Sequence, residues 1–277
     1  MMKAIALPLL AAFVLPLLAA GPPPLQPTKG WVLDYADTDC TATRQYGSDA
    51  EPFELVLRPS PFGHVIQLIV LRNGLGTVAR HVPATVTLPH GPLATTALRY
   101  WDKNGHEIMI ISFESDALAQ MRAAATVGIR TGDIDETFAV PSIGQVMQGL
   151  DTCNADLRRY WNVEGGATVA VPARPLVPLA RYFSAGDYPS QAADENRGGT
   201  SEVTMMVDET GTMRDCLVEK ASGIATLDAM TCGVLMQHAK FHPAVDAAGK
   251  PVRSILQQSV TWKLGQEFDR PAHGRGG

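Results

Sequence analysis

The chain has 277 residues, 45% hydrophobic and 18% charged, with a formal net charge of −5 at neutral pH. That balance excludes a chain disordered throughout, and confinement of the long apolar run to the first twenty residues excludes a polytopic membrane protein. The acidic sign and the lack of a basic stripe argue against nucleic acid as a partner.

Met1-Met2-Lys3 supplies one positive charge, residues 4–20 carry no charged or polar side chain, and Leu18-Ala19-Ala20 leads to Gly21 and a Pro22-Pro23-Pro24 run. A basic start, a short apolar core and a small-residue exit make a secretory leader over residues 1–20, so the expected location is the periplasm. The alternative is a retained inner-membrane anchor facing the periplasm. Residues 4–20 sit at the lower limit for crossing about 30 Å of hydrocarbon, and Pro8 and Pro16 interrupt helical continuity.

Export changes how Cys40, Cys153, Cys216 and Cys232 read. They form no C-x-x-C pair and no zinc spacing. In an oxidising compartment an even count points to disulfides. Four cysteines allow three connectivities, and the sequence does not choose among them. Domain organisation favours Cys40–Cys153 and Cys216–Cys232, the shorter loop being worth about 3 kcal/mol in the chain-entropy model.

The expected layout is a Pro-rich leader at 21–30, an amino-terminal domain at 31–162, a Pro/Gly linker at 163–180, a second domain at 181–265 and a flexible tail at 266–277. The linker has Pro172, Pro175 and Pro178 at every third position, which suits extended polyproline II. The acidity belongs to the first part: residues 21–165 carry 11 basic and 16 acidic side chains, against 11 and 12 in residues 166–277.

The first domain reads as short strands with turns. Phe53, Leu55 and Leu57 alternate with Glu54, Val56 and Arg58, and a β-branched run from His64 to Leu71 stops at Asn73-Gly74. Asn104-Gly105 between Leu98–Asp102 and His106–Phe113 is a strong hairpin signal. Helical patterning covers Ser115–Val127 and Ser142–Tyr160, the second placing Ile143, Val146, Met147, Leu150, Cys153 and Leu157 on one face. The expectation is a strand-rich α+β domain of unknown role. It carries no hydrolase elbow, zincin, S-x-x-K or P-loop motif, and His64, His81, His90 and His106 are scattered, so no catalytic residue is nominated. The Asp37/Asp39 and Asp133/Asp135/Glu136 groups lack the ligand ladder of a calcium loop and read as solvated loops.

In the second domain Tyr188-Pro189 precedes a short helix at Ser190–Asn196. Val203, Met205 and Val207 form one strand face, and a turn at Glu209-Thr210-Gly211 leads to a strand at Thr212–Lys220. Ile224, Leu227, Thr231, Val234, Leu235 and His238 then form a helical stripe capped by Thr226. A last strand covers Val252–Leu264, giving the order β-β-α-β. His238 and His242 stand four apart without a third ligand, so no metal is expected; His238 reads as a core or interface residue.

These residues resemble the carboxy-terminal domain of TonB-type energy-transducing proteins of Gram-negative envelopes. The matching elements are Tyr188-Pro189, the V-x-M-x-V strand 203–207 with the D-x-x-G turn 208–211, Ser222-Gly223, Leu227-Asp228, Phe241-x-Pro243-Ala244 and Gly249-x-Pro251-Val252. The resemblance implies a binding module without cofactor or enzymatic activity, whose last strand pairs with an extended segment of an envelope protein such as an outer-membrane receptor. Carried over, Val252, Leu256, Val260, Trp262 and Leu264 face inward. Arg253, Ile255, Gln257, Ser259, Thr261 and Lys263 face the partner; the alternatives are that another segment caps the strand or that it self-associates into a homodimer.

The chain departs from force-transducing members of that family. Residues 4–20 hold no His or Ser, and the spacer 163–180 would reach only about 55 Å at ~3.1 Å per residue. The leading expectation is therefore an exported, periplasmic TonB-like protein linked to outer-membrane transport. The alternatives are a membrane-anchored transducer and a periplasmic enzyme with its site in residues 31–162.

Overall fold

The computed structural model describes residues 22–60, 65–76, 79–102, 104–163 and 167–265. The expected leader peptide, the expected tail, His64 and residues 164–166 of the expected linker lie outside the described residues. The architecture is α+β and strand-rich.

Up to residue 160 the elements are β1 (Val32–Tyr35), β2 (Cys40–Gly47), β3 (Pro52–Pro59), β4 (Val65–Asn73), β5 (Arg80–Leu88), β6 (Gly91–Trp101), β7 (His106–Glu114), α1 (Ser115–Arg122), β8 (Thr126–Arg130), β9 (Asp135–Ala139) and α2 (Ile143–Tyr160). The strands form one antiparallel sheet in the order β1-β2-β3-β4-β7-β6-β5-β8-β9. Leu25 pairs with Phe138 of β9 and Pro27 with Tyr46 of β2, so the proline-rich segment bridges the two ends of the sheet. Tyr46 then donates its hydroxyl to the Ala139 carbonyl at 2.9 Å across the same seam.

The alternating pattern decides which face is buried. Leu55, Leu57, Leu68, Val86, Ile111 and Phe138 are fully buried on the inner face, where α2 adds Ile143, Val146, Met147, Leu150 and Leu157. A disulfide between Cys40 and Cys153 ties α2 to β2. The Asn104-Gly105 hairpin forms as expected, with Gly105 at φ +83° and the Asp102 carboxylate accepting the backbone N–H groups of Asn104 and His106.

One helix is shorter than its periodicity suggests. The segment 115–127 is helical only to Arg122, and Thr126 opens β8. Val127 and Ile129 alternate inward at 1% exposure and pair with β9, while β8 also bonds β5; long-range pairing outweighs the local helical period.

The acidic groups are not merely solvated. Asp133 accepts from Arg99 at 2.7 Å and from Arg72 at 2.6 Å, and both arginines also bind the buried carboxylate of Glu107. Asp135 pairs with Arg130, and Asp39 with Arg58.

A second core follows residue 163. Its elements are β10 (Val169–Val171), β11 (Arg174–Pro175), 3-10 turns at Leu179–Tyr182 and Ala185–Asp187, α3 (Ser190–Asp194), β12 (Gly199–Val207), β13 (Met213–Lys220), α4 (Ala225–His238), β14 (Phe241–His242), β15 (Ala244–Asp246), β16 (Pro251–Val252) and β17 (Ser254–Trp262). The expected polyproline II spacer is instead built into this unit: β10 pairs with β15 and β11 with β14. The sheet reads β13-β12-β17, with α4 on one face. Gly211 is required in the β12–β13 turn, because φ is +78° and a Cβ would lie 2.0 Å from the Phe241 carbonyl oxygen.

α4 begins one residue before the expected Thr226 cap, with Ile224 at the cap position and no side-chain cap bond. The Ser222 hydroxyl holds that entry by accepting the Ile224 N–H at 3.1 Å. Its stripe is buried at Leu227, Thr231, Val234 and Leu235, but His238 is exposed. His238, in the last turn of α4, is therefore not a core residue.

The Arg99 guanidinium, with Arg72 beside it, holds the Asp133 carboxyl down at about 2. A depressed carboxyl contributes stability above its ordinary value of 3.8 that is lost as the pH falls toward 2. Half-exposure screens the pair, so Asp133→Asn is expected to cost about 1 kcal/mol at pH 7 and to flatten the acid limb of the stability curve, measured by urea unfolding from pH 7 to pH 2.5.

Candidate functional site

Two borders of the carboxy-terminal sheet and the contact between the two units define the site. β12 is bonded on both sides, whereas among the described residues β17 and β13 are each bonded to β12 alone. Each of these terminal strands keeps one row of backbone donors and acceptors outside the sheet.

β17 runs antiparallel to β12 from Gly199↔Trp262 to Val207↔Ser254. Val260 and Trp262 turn to the α4 face as expected, and Leu256 packs against the same core. Trp262 anchors the far end: its indole N–H donates to Thr231 Oγ1 at 2.8 Å, and the Phe183 and Tyr188 rings pack edge-on to it at 5.1 and 5.4 Å. Gly198 and Gly199 are needed beside it, since a Cβ at Gly198 would lie 2.4 Å from the Trp262 carbonyl oxygen. A disulfide between Cys216 and Cys232 pins β13 to α4.

The six nominated partner-facing residues divide into two groups. Gln257, Ser259, Thr261 and Lys263 are exposed, with Thr261 Oγ1 2.9 Å from Thr200 Oγ1. Arg253 and Ile255 are engaged by the amino-terminal unit. The Arg253 guanidinium lies 3.9 Å over the Tyr160 ring and pairs with Glu209, while its carbonyl accepts from Asn162 Nδ2 at 2.8 Å. Ile255 packs beside Met206 against the first core. That face is partly covered by the other unit. Along its outer border, residues 259–262 are flanked by Leu179, Ala180 and Phe183, leaving a gap of about 90 Å³.

Further contacts join the units. Arg58 of β3 spans Asp39 and Asp215 at 3.2 and 2.7 Å. Glu219 Oε1 accepts the Ser60 and Thr204 hydroxyls at 2.5 and 3.0 Å. Asp228, 1% exposed in the first turn of α4, accepts Ser201 Oγ and the Ser222 N–H on one oxygen. Its other oxygen faces His81 Nε2 of β5 at 3.6 Å. No sequence signal marked His81, Asp228 or Glu219 as interface groups, because their partners lie more than a hundred residues away. Between the contacts is a cleft of about 590 Å³ lined by both units. Among the described residues no cluster of three or more His, Cys, Asp or Glu side chains is placed to hold a metal.

The unit is a helix-backed β-β-α-β arrangement whose two terminal strands each have, among the described residues, only β12 as a strand neighbour. Residues 184–264 match the family of the Gram-negative bacterial TonB protein C-terminal, so this segment is a TonB C-terminal domain; the match spans less than a third of the chain. No curated protein and no solved structure matches the chain. The domain type belongs to envelope proteins linked to transport. Among the described residues no helix is long and apolar enough to cross a membrane.

Burial holds the His81 imidazole below its ordinary value of 6.5, deepened by Arg197 and partly offset by Asp228. A base kept neutral in the fold contributes stability above its unfolded value that is lost as the pH falls. Urea midpoints are therefore expected to drop between pH 7 and pH 5, and His81→Gln is expected to remove part of that slope.

Proposed function

We propose that the protein is an exported envelope protein that binds partner proteins by edge-strand pairing, in the service of outer-membrane transport. The observation that carries this reading is the outer border of β17, a nine-residue strand that among the described residues is bonded only to β12. Gln257 stands exposed on it, and Ser259 is exposed at the near end of the part flanked by Leu179, Ala180 and Phe183. An extended segment of a receptor adds there as a fourth strand, with main-chain bonds giving affinity and alternate side chains giving selectivity. Arg253 and Ile255 fix the strand against the amino-terminal unit, and Gln257, Ser259, Thr261 and Lys263 meet the partner.

The geometry favours a binding role over catalysis. The polar groups joining the units are structural partners of one another: Arg58 is spanned by two carboxylates, and Asp228 accepts two hydrogen bonds.

Photoreactive side chains at Ser259 and Thr261, introduced in cells, are expected to crosslink an outer-membrane receptor. The same groups placed at Thr210, in the β12–β13 turn, are expected not to. Adducts only with a second copy of the chain would replace the receptor by a homodimer, and no envelope adduct at either position would overturn the reading.

A further inference from the structure

The second border of the sheet faces a different environment. Cys216, Leu217, Val218 and Glu219 of β13 all line the 590 Å³ cleft between the units. Side chains alternate along a strand, so four consecutive residues share one cavity only when it runs along the strand's edge. The cleft therefore lies against the outer border of β13, which no other described segment pairs. Its opposite wall is the outer face of the nine-stranded sheet, where Leu98 and Tyr100 of β6 and Ile110 and Ser112 of β7 alternate as surface positions. α4 adds Ala229 and the Cys216–Cys232 disulfide on the third side.

Two buried acceptors of this cleft lack donors. Arg58 is already spanned by Asp39 and Asp215. Gln67, 6% exposed, has its Oε1 buried without a hydrogen-bond partner, and so does Oδ2 of Asp228, 1% exposed. His81 at 3.6 Å is too far to supply one. Glu219 adds a second carboxylate, so the uncompensated charge is negative. Buried acceptors without donors are costly, and an incoming group that carries N–H donors and positive charge relieves that cost.

We propose that the outer border of β13 receives an extended segment of a partner protein in which apolar and basic residues alternate. The segment adds as a fourth strand inside the cleft. Its apolar side chains lie on Leu98 and Ile110, and a lysine or arginine reaches the Glu219 and Gln67 end. The four lining residues span about 13 Å, at ~3.3 Å per residue, so the recognised core is four to five residues long. This border is separate from that of β17, lies on the other side of β12, and does not depend on the receptor reading.

Selection of a phage-displayed random hexapeptide library on the full-length protein, with counter-selection on Ala229→Trp, tests this directly. Ala229 is an exposed α4 residue at the cleft, where an indole fills the space for a strand. The expected products alternate apolar with Lys or Arg. Synthetic copies are expected to bind Ala229→Trp and Glu219→Gln about tenfold or more weakly, and to bind Thr261→Trp, on the β17 side, unchanged. N-methylation of alternate peptide nitrogens removes main-chain hydrogen bonds without touching the protein, and is expected to weaken binding at least about tenfold. The proposal is overturned if no hexapeptide survives counter-selection, if N-methylation is tolerated, or if binding is lost in Thr261→Trp and kept in Ala229→Trp. The last result would move strand addition to β17 and leave the receptor reading standing.

Discussion

A three-stranded sheet has one interior strand and two borders, and everything the carboxy-terminal unit can do depends on β12 occupying the interior. β13 and β17 each complete half of β12's hydrogen bonding and keep the other half of their own outside the ladder. With α4 on one face and much of the other turned toward the amino-terminal unit, the borders are where further backbone pairing is available. Proteins ordinarily blunt such borders. In the amino-terminal sheet this is visible, because the segment around Leu25 and Pro27 bridges its two end regions. Among the described residues, the smaller sheet has no further strand on either side.

The contact between units orients those borders. Met206 and Ile255 bury apolar surface against the first core, and Arg253 stacks on Tyr160, so the β17 end is held by packing. The β13 side is held by polar bridges instead: Arg58 to Asp215, Ser60 to Glu219 and His81 beside Asp228. Packing against one side and spanning the other leaves the cleft under β13 open while the unit stays docked. The amino-terminal sheet, for which the sequence offers no chemistry, acquires a physical role as the platform on which the TonB-type domain stands.

What the sequence revealed follows the range of the interaction. The Asn104-Gly105 hairpin, the β12–β13 pair, the stripe of α2 and both disulfides depend on local pattern or on pairing within one folding unit, and each is present. Pairings between distant segments were hidden. Leu25 meets Phe138 across more than a hundred residues, and β8 looks helical until its β5 and β9 neighbours are known. β5 carries Pro83, which argues against a strand. It is tolerated because at that position β5 has only β6 beside it. The periodic prolines 172, 175 and 178 suggested a free spacer, yet short pairings with β14 and β15 draw that segment into the fold. At the site, strand alternation placed Leu256, Val260 and Trp262 inward as found, but Leu264, also expected inward, lies past the end of β17 and is 40% exposed. Alternation could not show that Arg253 and Ile255 are covered, since the covering residues belong to the other unit.

Amide hydrogen exchange, resolved by residue across positions 199–262 of the full-length protein, tests the open-border account most directly. Alternate amides of β13 and β17 are expected to exchange orders of magnitude faster than those of β12, whose bonding is filled from both sides. Equal protection of all three strands would mean that both borders are already occupied in solution, and strand addition would then have no vacant place to begin.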